Sequence, residues 1–231
     1  MSQTVLLVFT NHSELGTTGK KTGYYLPEAA HPYHVFKNAG YSIDFASPKG
    51  GKSPLDQSSV EAFKDDKAST EFLNDKEVQD KVNNTLRLSD VDPSKYSVVL
   101  FVGGHGPMFD LSDDQSSHDV VRKIYEANDT NIVAAVCHGP VGIANVKLSN
   151  GSYLVSGKKV TAFSNAEEDA VELSSQMPFM LETKLKENGA LYEKAAENWG
   201  AHVVGDQRVF TGQNPASASP LAEAIVSQLK K

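Results

Sequence analysis

The chain has 231 residues, a formal net charge of −7 at pH 7, 39% hydrophobic residues and 22% charged residues. This length allows one domain with a well-buried core, and the acidic balance, without a run of Lys or Arg, argues against nucleic acid as a partner. A single cysteine excludes an intramolecular disulfide and a cysteine-rich zinc site.

The N-terminus carries one short apolar run, at residues 5–9 (Val-Leu-Leu-Val-Phe). Five residues are too few to cross a membrane, and no basic leader of a secretory signal precedes them. We therefore expect no membrane partner and a cytoplasmic location, with the nucleus as a further possibility. The lone cysteine fits a reducing compartment.

Short apolar segments alternate with helical patterns along the whole chain. Strands are predicted at 4–10, 42–46, 96–102, 132–136 and 160–163, and helices at 27–38, 115–127, 139–144, 178–187 and 217–229. Hairpins are predicted at 145–157 and between 201–204 and 208–211. The alternation predicts an α/β fold in which a mostly parallel sheet has helices on both faces.

Residues 50–95 differ from the rest of the chain. They are polar and charged, with modest helical periodicity at 71–88. We expect an insertion or flap that covers the core without being part of it. Because the chain shows no tandem repeat and no linker, residues 1–231 are predicted to form a single domain with this one insertion.

Polar segments follow four of the predicted strands, at 11–12, 103–107, 137–140 and 164–169. The carboxyl ends of parallel strands meet at one edge of a sheet, where ligands bind in open α/β folds. We therefore expect these four segments to converge on one site.

Cys137 lies where strand 132–136 is predicted to turn into a helix, and His138, Gly139 and Pro140 follow it. A nucleophile elbow needs such a sharp turn after the reactive residue, whereas a core strand does not. A helix N-terminus also favours the thiolate. The alternative is a small buried core residue. We predict an exposed, readily ionised thiol.

Four segments together resemble the ThiJ/PfpI superfamily: 134–140 (Ala-Ala-Val-Cys-His-Gly-Pro), 103–106 (Gly-Gly-His-Gly), 211–217 (Thr-Gly-Gln-Asn-Pro-Ala-Ser) and 21–32 (Lys-Thr-Gly-Tyr-Tyr-Leu-Pro-Glu-Ala-Ala-His-Pro). The resemblance implies a flavodoxin-like fold related to class I glutamine amidotransferases. The last segment is similar to the branch of stress-induced glutathione-independent glyoxalases (glyoxalase III), with relatives described as holding chaperones and deglycases.

The resemblance also implies catalytic roles. Cys137 would be the nucleophile, His138 its acid/base partner, and Glu28 a group that hydrogen-bonds the thiol and carries a proton. An acidic residue after strand 160–163 would orient His138. Glu168 is in register with that acid.

Glu167 is the close alternative to Glu168 as the orienting acid. The surrounding Phe-Ser-Asn-Ala departs from the glyoxalase pattern, which is closer to Phe-Thr-Asp with Gly before the Glu. The choice between the two acids therefore stays open at the level of the sequence.

Backbone N–H groups at Gly104 and His138 are the candidate donors to an oxyanion, and His105 is a candidate substrate contact. The resemblance implies no metal and no organic cofactor. His31 and His34, at helical spacing, are expected to pack or hydrogen-bond and not to hold a metal.

The implied reaction converts methylglyoxal, a small 2-oxoaldehyde, and water to D-lactate through a hemithioacetal on Cys137. The alternatives are a holding chaperone whose partners are misfolded proteins and whose segment 50–95 moves, a protein deglycase, and a cysteine hydrolase. A homodimer is expected by analogy with relatives.

Overall fold

A computed structural model describes residues 4–230 of the chain. The strands within this range are β1 (Thr4–Val8), β2 (Ser42–Ser47), β3 (Leu86–Arg87), β4 (Val98–Phe101), β5 (Ile132–Val136), β6 (Lys159–Val160), β7 (Leu191–Tyr192), β8 (Val203–Asp206) and β9 (Val209–Gly212). The helices are α1 (Leu26–Asn38), α2 (Gln57–Ala62), α3 (Lys67–Asn74), α4 (Lys76–Asn83), α5 (Pro107–Asp110), α6 (Gln115–Ala127), α7 (Val141–Ala144), α8 (Asn165–Ala170), α9 (Leu181–Glu187) and α10 (Ala218–Leu229). None of these helices is long and apolar enough to cross a lipid bilayer.

Seven strands form a central sheet in the order β3-β2-β1-β4-β5-β9-β8. All neighbours are parallel except β8 and β9, which form the predicted antiparallel hairpin. The strand order reverses between β1 and β4, and ligands of such sheets bind at the carboxyl ends of the strands beside this reversal. The predicted flavodoxin-like α/β fold is confirmed.

The sheet is buried on both faces because its strands carry apolar side chains in both directions. In β1, Val5 and Leu7 pack on the face that is covered by α1 and α10, whereas Leu6 and Val8 pack on the face covered by α6. Near-continuous apolar strands are typical of parallel sheets covered on both sides. The loops at the carboxyl ends of the strands are therefore held on a rigid core.

The prediction that residues 50–95 lie outside the core is wrong. The segment contains α2, α3, α4 and β3, and the Phe72 ring is fully buried against Tyr33 and Phe45. β3 also extends the sheet by pairing with β2. The charged side chains hid short amphipathic helices, each of which begins at an aspartate N-cap: Asp56, Asp66 and Asp75.

Residues 160–163 were predicted as a strand of the main sheet, and this is also wrong. Only Lys159 and Val160 are in strand conformation, and they pair with β7 in a separate two-stranded sheet. Beyond them, the Phe163 N–H donates to the Cys137 carbonyl at 2.8 Å. This hydrogen bond holds the segment, and with it the start of α8, beside the carboxyl end of β5. The predicted hairpin at 145–157 contains one antiparallel bridge, between Lys147 and Tyr153.

We predict that Phe72→Ala lowers the free energy of unfolding by about 3–5 kcal/mol, because it leaves a cavity where a buried ring packs. Urea unfolding followed by circular dichroism measures this. The control in the same segment is Leu86→Ala, since Leu86 is 45% exposed; we expect a change of about 0.5 kcal/mol or less. Equal effects of the two substitutions would mean that the segment is not part of the core.

Candidate active site

Cys137 has a left-handed backbone conformation, with φ of 61°. Such a conformation is uncommon for a residue other than glycine. Backbone hydrogen bonds hold it from both sides: the Cys137 N–H donates to the Gly212 carbonyl at 2.9 Å, and the Phe163 N–H donates to the Cys137 carbonyl. The chain turns sharply as a result, and the Cys137 Sγ lies 3.4 Å from His138 Nδ1. In an extended strand, two successive side chains would point to opposite faces.

Gly103, at the end of β4, allows Glu28 to approach Cys137. A Cβ atom at Gly103 would overlap Glu28 Oε2 and the Cys137 Cβ. Glu28 is the third residue of α1, in the first turn after the Tyr25 N-cap. The reversal of strand order between β1 and β4 thus brings this carboxyl group next to the thiol.

Glu168 connects two histidines. His138 Nε2 lies 2.6 Å from Glu168 Oε2, and His105 Nε2 lies 2.9 Å from Glu168 Oε1. If both rings donate these hydrogen bonds to the carboxylate, His138 Nδ1 is unprotonated and faces the thiol. This tautomer makes His138 a proton acceptor for Cys137.

The charge states of Glu168 and His138 follow from their surroundings. Burial alone would raise the pKa of Glu168, but the charges and hydrogen bonds of His138 and His105 outweigh it and lower the pKa well below the ordinary carboxyl value. Burial, together with neighbouring His105, lowers the pKa of His138. At neutral pH, Glu168 is therefore ionised and His138 is neutral.

Glu167, the alternative acid, points away from His138 and is fully buried. Burial by itself would raise the pKa of Glu167, yet its hydrogen bonds, that from Asn214 foremost, lower it. Oε1 and Oε2 of Glu167 accept hydrogen bonds from the Ser164 N–H and Oγ, the Trp199 N–H, the Gln213 Nε2 and the Asn214 Nδ2. It therefore ties α8 to two loops, and Glu168 is the acid in contact with His138.

Glu28 is fully buried. Burial raises its pKa well above the ordinary carboxyl value, and the nearby Cys137 thiol and Gly103 N–H offset this only in part. Neither of these contacts has the geometry of a formed hydrogen bond, and both Glu28 oxygens lack a partner within residues 4–230. Burial without a hydrogen-bond partner thus favours the protonated, uncharged form of Glu28.

The prediction of an exposed, readily ionised thiol is wrong. Cys137 is only 4% exposed, and burial raises its pKa well above the ordinary thiol value, with the charge of Glu28 adding to the effect when that group is ionised. The Gly104 N–H lowers the pKa, but by less. The helix that follows, α7, has four residues, so its dipole is weak.

The thiol borders a cavity of about 90 Å³. Five of the residues given catalytic or binding roles from the sequence line it, namely Glu28, Gly104, His105, Cys137 and His138. Glu168 contacts two of them, His105 and His138. The polar segment 11–12, which was expected to converge on the same site, does not line this cavity. Five further residues that line the cavity were missed: Tyr25, Phe163, Val171, Trp199 and Pro215. Trp199 is the only tryptophan, but no local pattern connects it to the cysteine, so only the folded chain reveals it.

One group of side chains within residues 4–230 has the composition of a metal site. Ligand atoms of His105, His138 and Glu168 lie within 4.8 Å of one another. They already hydrogen-bond to each other, so a metal ion would have to displace those bonds. His31 and His34 instead contact α3, through Asp66 at 2.9 Å and the Ala68 carbonyl at 3.1 Å.

Comparison with known proteins gives full-length relatives. Glyoxalase 3 of Candida albicans is 33% identical, over 96% of this chain and 97% of its own length. The glutathione-independent glyoxalase HSP31 of Saccharomyces cerevisiae is 31% identical, over 98% of both chains.

Solved structures agree with these matches. The rapid encystment protein REP24 of Francisella tularensis superimposes with a TM-score of 0.93 at 38% identity, over 98% of this chain and 99% of its own. Glyoxalase III of Candida albicans gives a TM-score of 0.86 at 30% identity, over 98% and 97%. A profile of the DJ-1/PfpI family matches residues 22–228. The chain therefore belongs to the DJ-1/PfpI family.

Proposed function

We propose that this protein is a glutathione-independent glyoxalase, which converts methylglyoxal and water to D-lactate with Cys137 as nucleophile. The main support is the arrangement around the thiol: a base 3.4 Å away in His138 and a buried, uncharged acid in Glu28. The names of the full-length relatives from Candida albicans and Saccharomyces cerevisiae support the same activity.

The first step is addition of the thiol to the aldehyde. The Cys137 proton passes to His138 Nδ1 as the sulfur attacks the aldehyde carbon, so no standing thiolate is needed. Glu168 stabilises the imidazolium that forms. Glu28 gives its proton to the aldehyde oxygen, and the product is a hemithioacetal.

The second step moves hydrogen between the two carbons of the substrate. Glu28, now a carboxylate, removes the proton from the former aldehyde carbon, which gives an enediol-like species, and then returns the proton to the neighbouring carbon. The hydroxyl proton on the former aldehyde oxygen moves to the oxygen of that neighbouring carbon. The first carbon is oxidised and the second is reduced, so no external oxidant or reductant is required. The product is a thioester of Cys137.

Hydrolysis of the thioester completes the cycle. Water adds to the thioester carbon and gives one proton to the Glu28 carboxylate, which restores the acid, while His138 returns its proton to the departing sulfur. The Gly104 N–H, which lies beside the Cys137 sulfur, is the donor placed to stabilise the oxyanion. Lactate then leaves and the thiol is restored.

No observation favours a second function. The chaperone alternative required residues 50–95 to move, but that segment buries Phe72 and extends the sheet through β3. The deglycase and hydrolase alternatives would use the same thiol, so substitution of Cys137 tests these activities as well. The homodimer and the cytoplasmic location stay predictions.

We predict that Cys137→Ala lowers the rate of lactate formation from methylglyoxal about 10³-fold or more, because the nucleophile is removed. The assay contains no glutathione and detects D-lactate. Glu28→Gln, which keeps the shape of the side chain but cannot give up and regain a proton, is expected to cause a similar loss. A Cys137→Ala variant as active as the wild type would overturn the proposal.

The two neighbouring glutamates should behave differently. Glu168→Gln is expected to lower kcat about 10²–10⁴-fold, since His138 loses the charge that stabilises its imidazolium. Glu167→Gln should chiefly lower the free energy of unfolding, by about 2–3 kcal/mol, because an amide cannot accept every hydrogen bond that this carboxylate receives. Asp169→Asn, at an exposed neighbour, is the control. Loss of activity in Glu167→Gln with full activity in Glu168→Gln would exchange the assignments.

The pH dependence of kcat/KM follows from the two shifted groups. Neutral His138 is required, so activity is lost as pH falls through its pKa, which burial lowers; the acidic midpoint should lie below about 6.5. Protonated Glu28 is also required, so activity is lost as pH rises through its raised pKa. A profile that already falls near pH 4–5, where an ordinary carboxyl ionises, would contradict the role of Glu28.

A further inference from the structure

Exposed apolar side chains are concentrated at the mouth of the cavity. Within residues 4–230, four large hydrophobic side chains are exposed, and two of these, Val171 at 37% and Trp199 at 47%, line the cavity beside Cys137. Exposed apolar surface at the rim of a pocket marks a place where a ligand or a partner binds and covers that surface.

Aromatic rings connect the catalytic imidazole with this mouth. The Phe163 ring centroid lies 4.5 Å from that of His138 and 5.7 Å from that of Trp199. The three rings form a continuous path from the reacting groups to solvent, so a flat substituent attached to a bound substrate can lie along it.

The backbone at Trp199 is held in place. It is left-handed, with φ of 67°, which is rare for a bulky residue. The Trp199 N–H donates to Glu167 Oε1 at 3.0 Å. The same buried carboxylate that accepts hydrogen bonds at the start of α8 thus also fixes the backbone at Trp199.

Burial decides which part of a substrate reaches the indole. Cys137 and His138 are 4% and 1% exposed, whereas Val171 and Trp199, which line the same small cavity, are 37% and 47% exposed. A dicarbonyl unit that reacts with the buried sulfur therefore directs its substituent toward Val171 and Trp199. An aryl group covers more of their exposed apolar surface than a methyl group does.

We infer that Trp199, Phe163 and Val171 form a subsite for the substituent of the 2-oxoaldehyde, and that this subsite gives the enzyme a preference for aryl over methyl substituents. The inference rests on the proposed glyoxalase function. Trp199 is the residue that determines the preference, since its ring provides most of the apolar surface that an aryl group would cover.

The first test compares kcat/KM for phenylglyoxal and for methylglyoxal. In Trp199→Ala, the ratio of the two values should fall about tenfold, which corresponds to the loss of one aromatic contact and its buried area. Trp199→Phe keeps an aromatic ring and should stay within about threefold of the wild-type ratio. The control is Leu191→Ala, at an exposed leucine outside the cavity. An unchanged ratio in Trp199→Ala would overturn the subsite.

The second test does not require turnover. In Cys137→Ala, the fluorescence of the only tryptophan reports binding of mandelate and of lactate, the products expected from the two aldehydes. Mandelate should bind about tenfold more tightly. Equal affinities would overturn the subsite. If the wild type turns over neither aldehyde but mandelate is still preferred, the subsite stands and the proposed reaction falls.

Discussion

The left-handed backbone of Cys137 is the constraint on which the rest of the site depends. It ends β5 abruptly and brings the sulfur to the same side as the imidazole of the next residue. The hydrogen bonds from Cys137 to Gly212 and from Phe163 to Cys137 keep this strained conformation in place. A central strand of a parallel sheet is rigid enough to store such strain, whereas a loop would relax.

Two buried carboxyl groups border the Cys137–His138 pair, Glu28 beside the thiol and Glu168 beside the imidazole, and their surroundings make one of them neutral and the other negatively charged. Glu168 receives hydrogen bonds from two histidines and is ionised. Glu28 has no such partner within residues 4–230, and burial keeps it protonated. Glu168 is thereby suited to stabilise the imidazolium, and Glu28 is suited to carry a proton. Different surroundings commonly give two carboxyl groups of one active site such different roles.

The sequence predicted the features that are local. The apolar run before Cys137 and the His-Gly-Pro after it were sufficient to predict the elbow, because the strand and the turn are adjacent in the chain. Glu28 was singled out only through a family resemblance, since its burial depends on Gly103, far away in sequence. The exposure of the thiol was predicted wrongly because burial of a strand end is decided by what packs over it.

Long-range contacts account for the other errors. The charged segment 50–95 concealed Phe72, whose partners Tyr33 and Phe45 lie in α1 and β2. Glu167 and Trp199 are connected by a hydrogen bond between residues 32 positions apart. Neither periodicity nor a motif reports such a contact.

The protonation state of Glu28 tests the account most directly. Infrared difference spectra at pH 7, wild type minus Glu28→Gln, should contain the carbonyl stretch of a protonated carboxyl group, and the Glu168→Gln variant should retain that band. Absence of the band from the wild type, or its loss in Glu168→Gln alone, would contradict the division of charge on which the proposed chemistry relies.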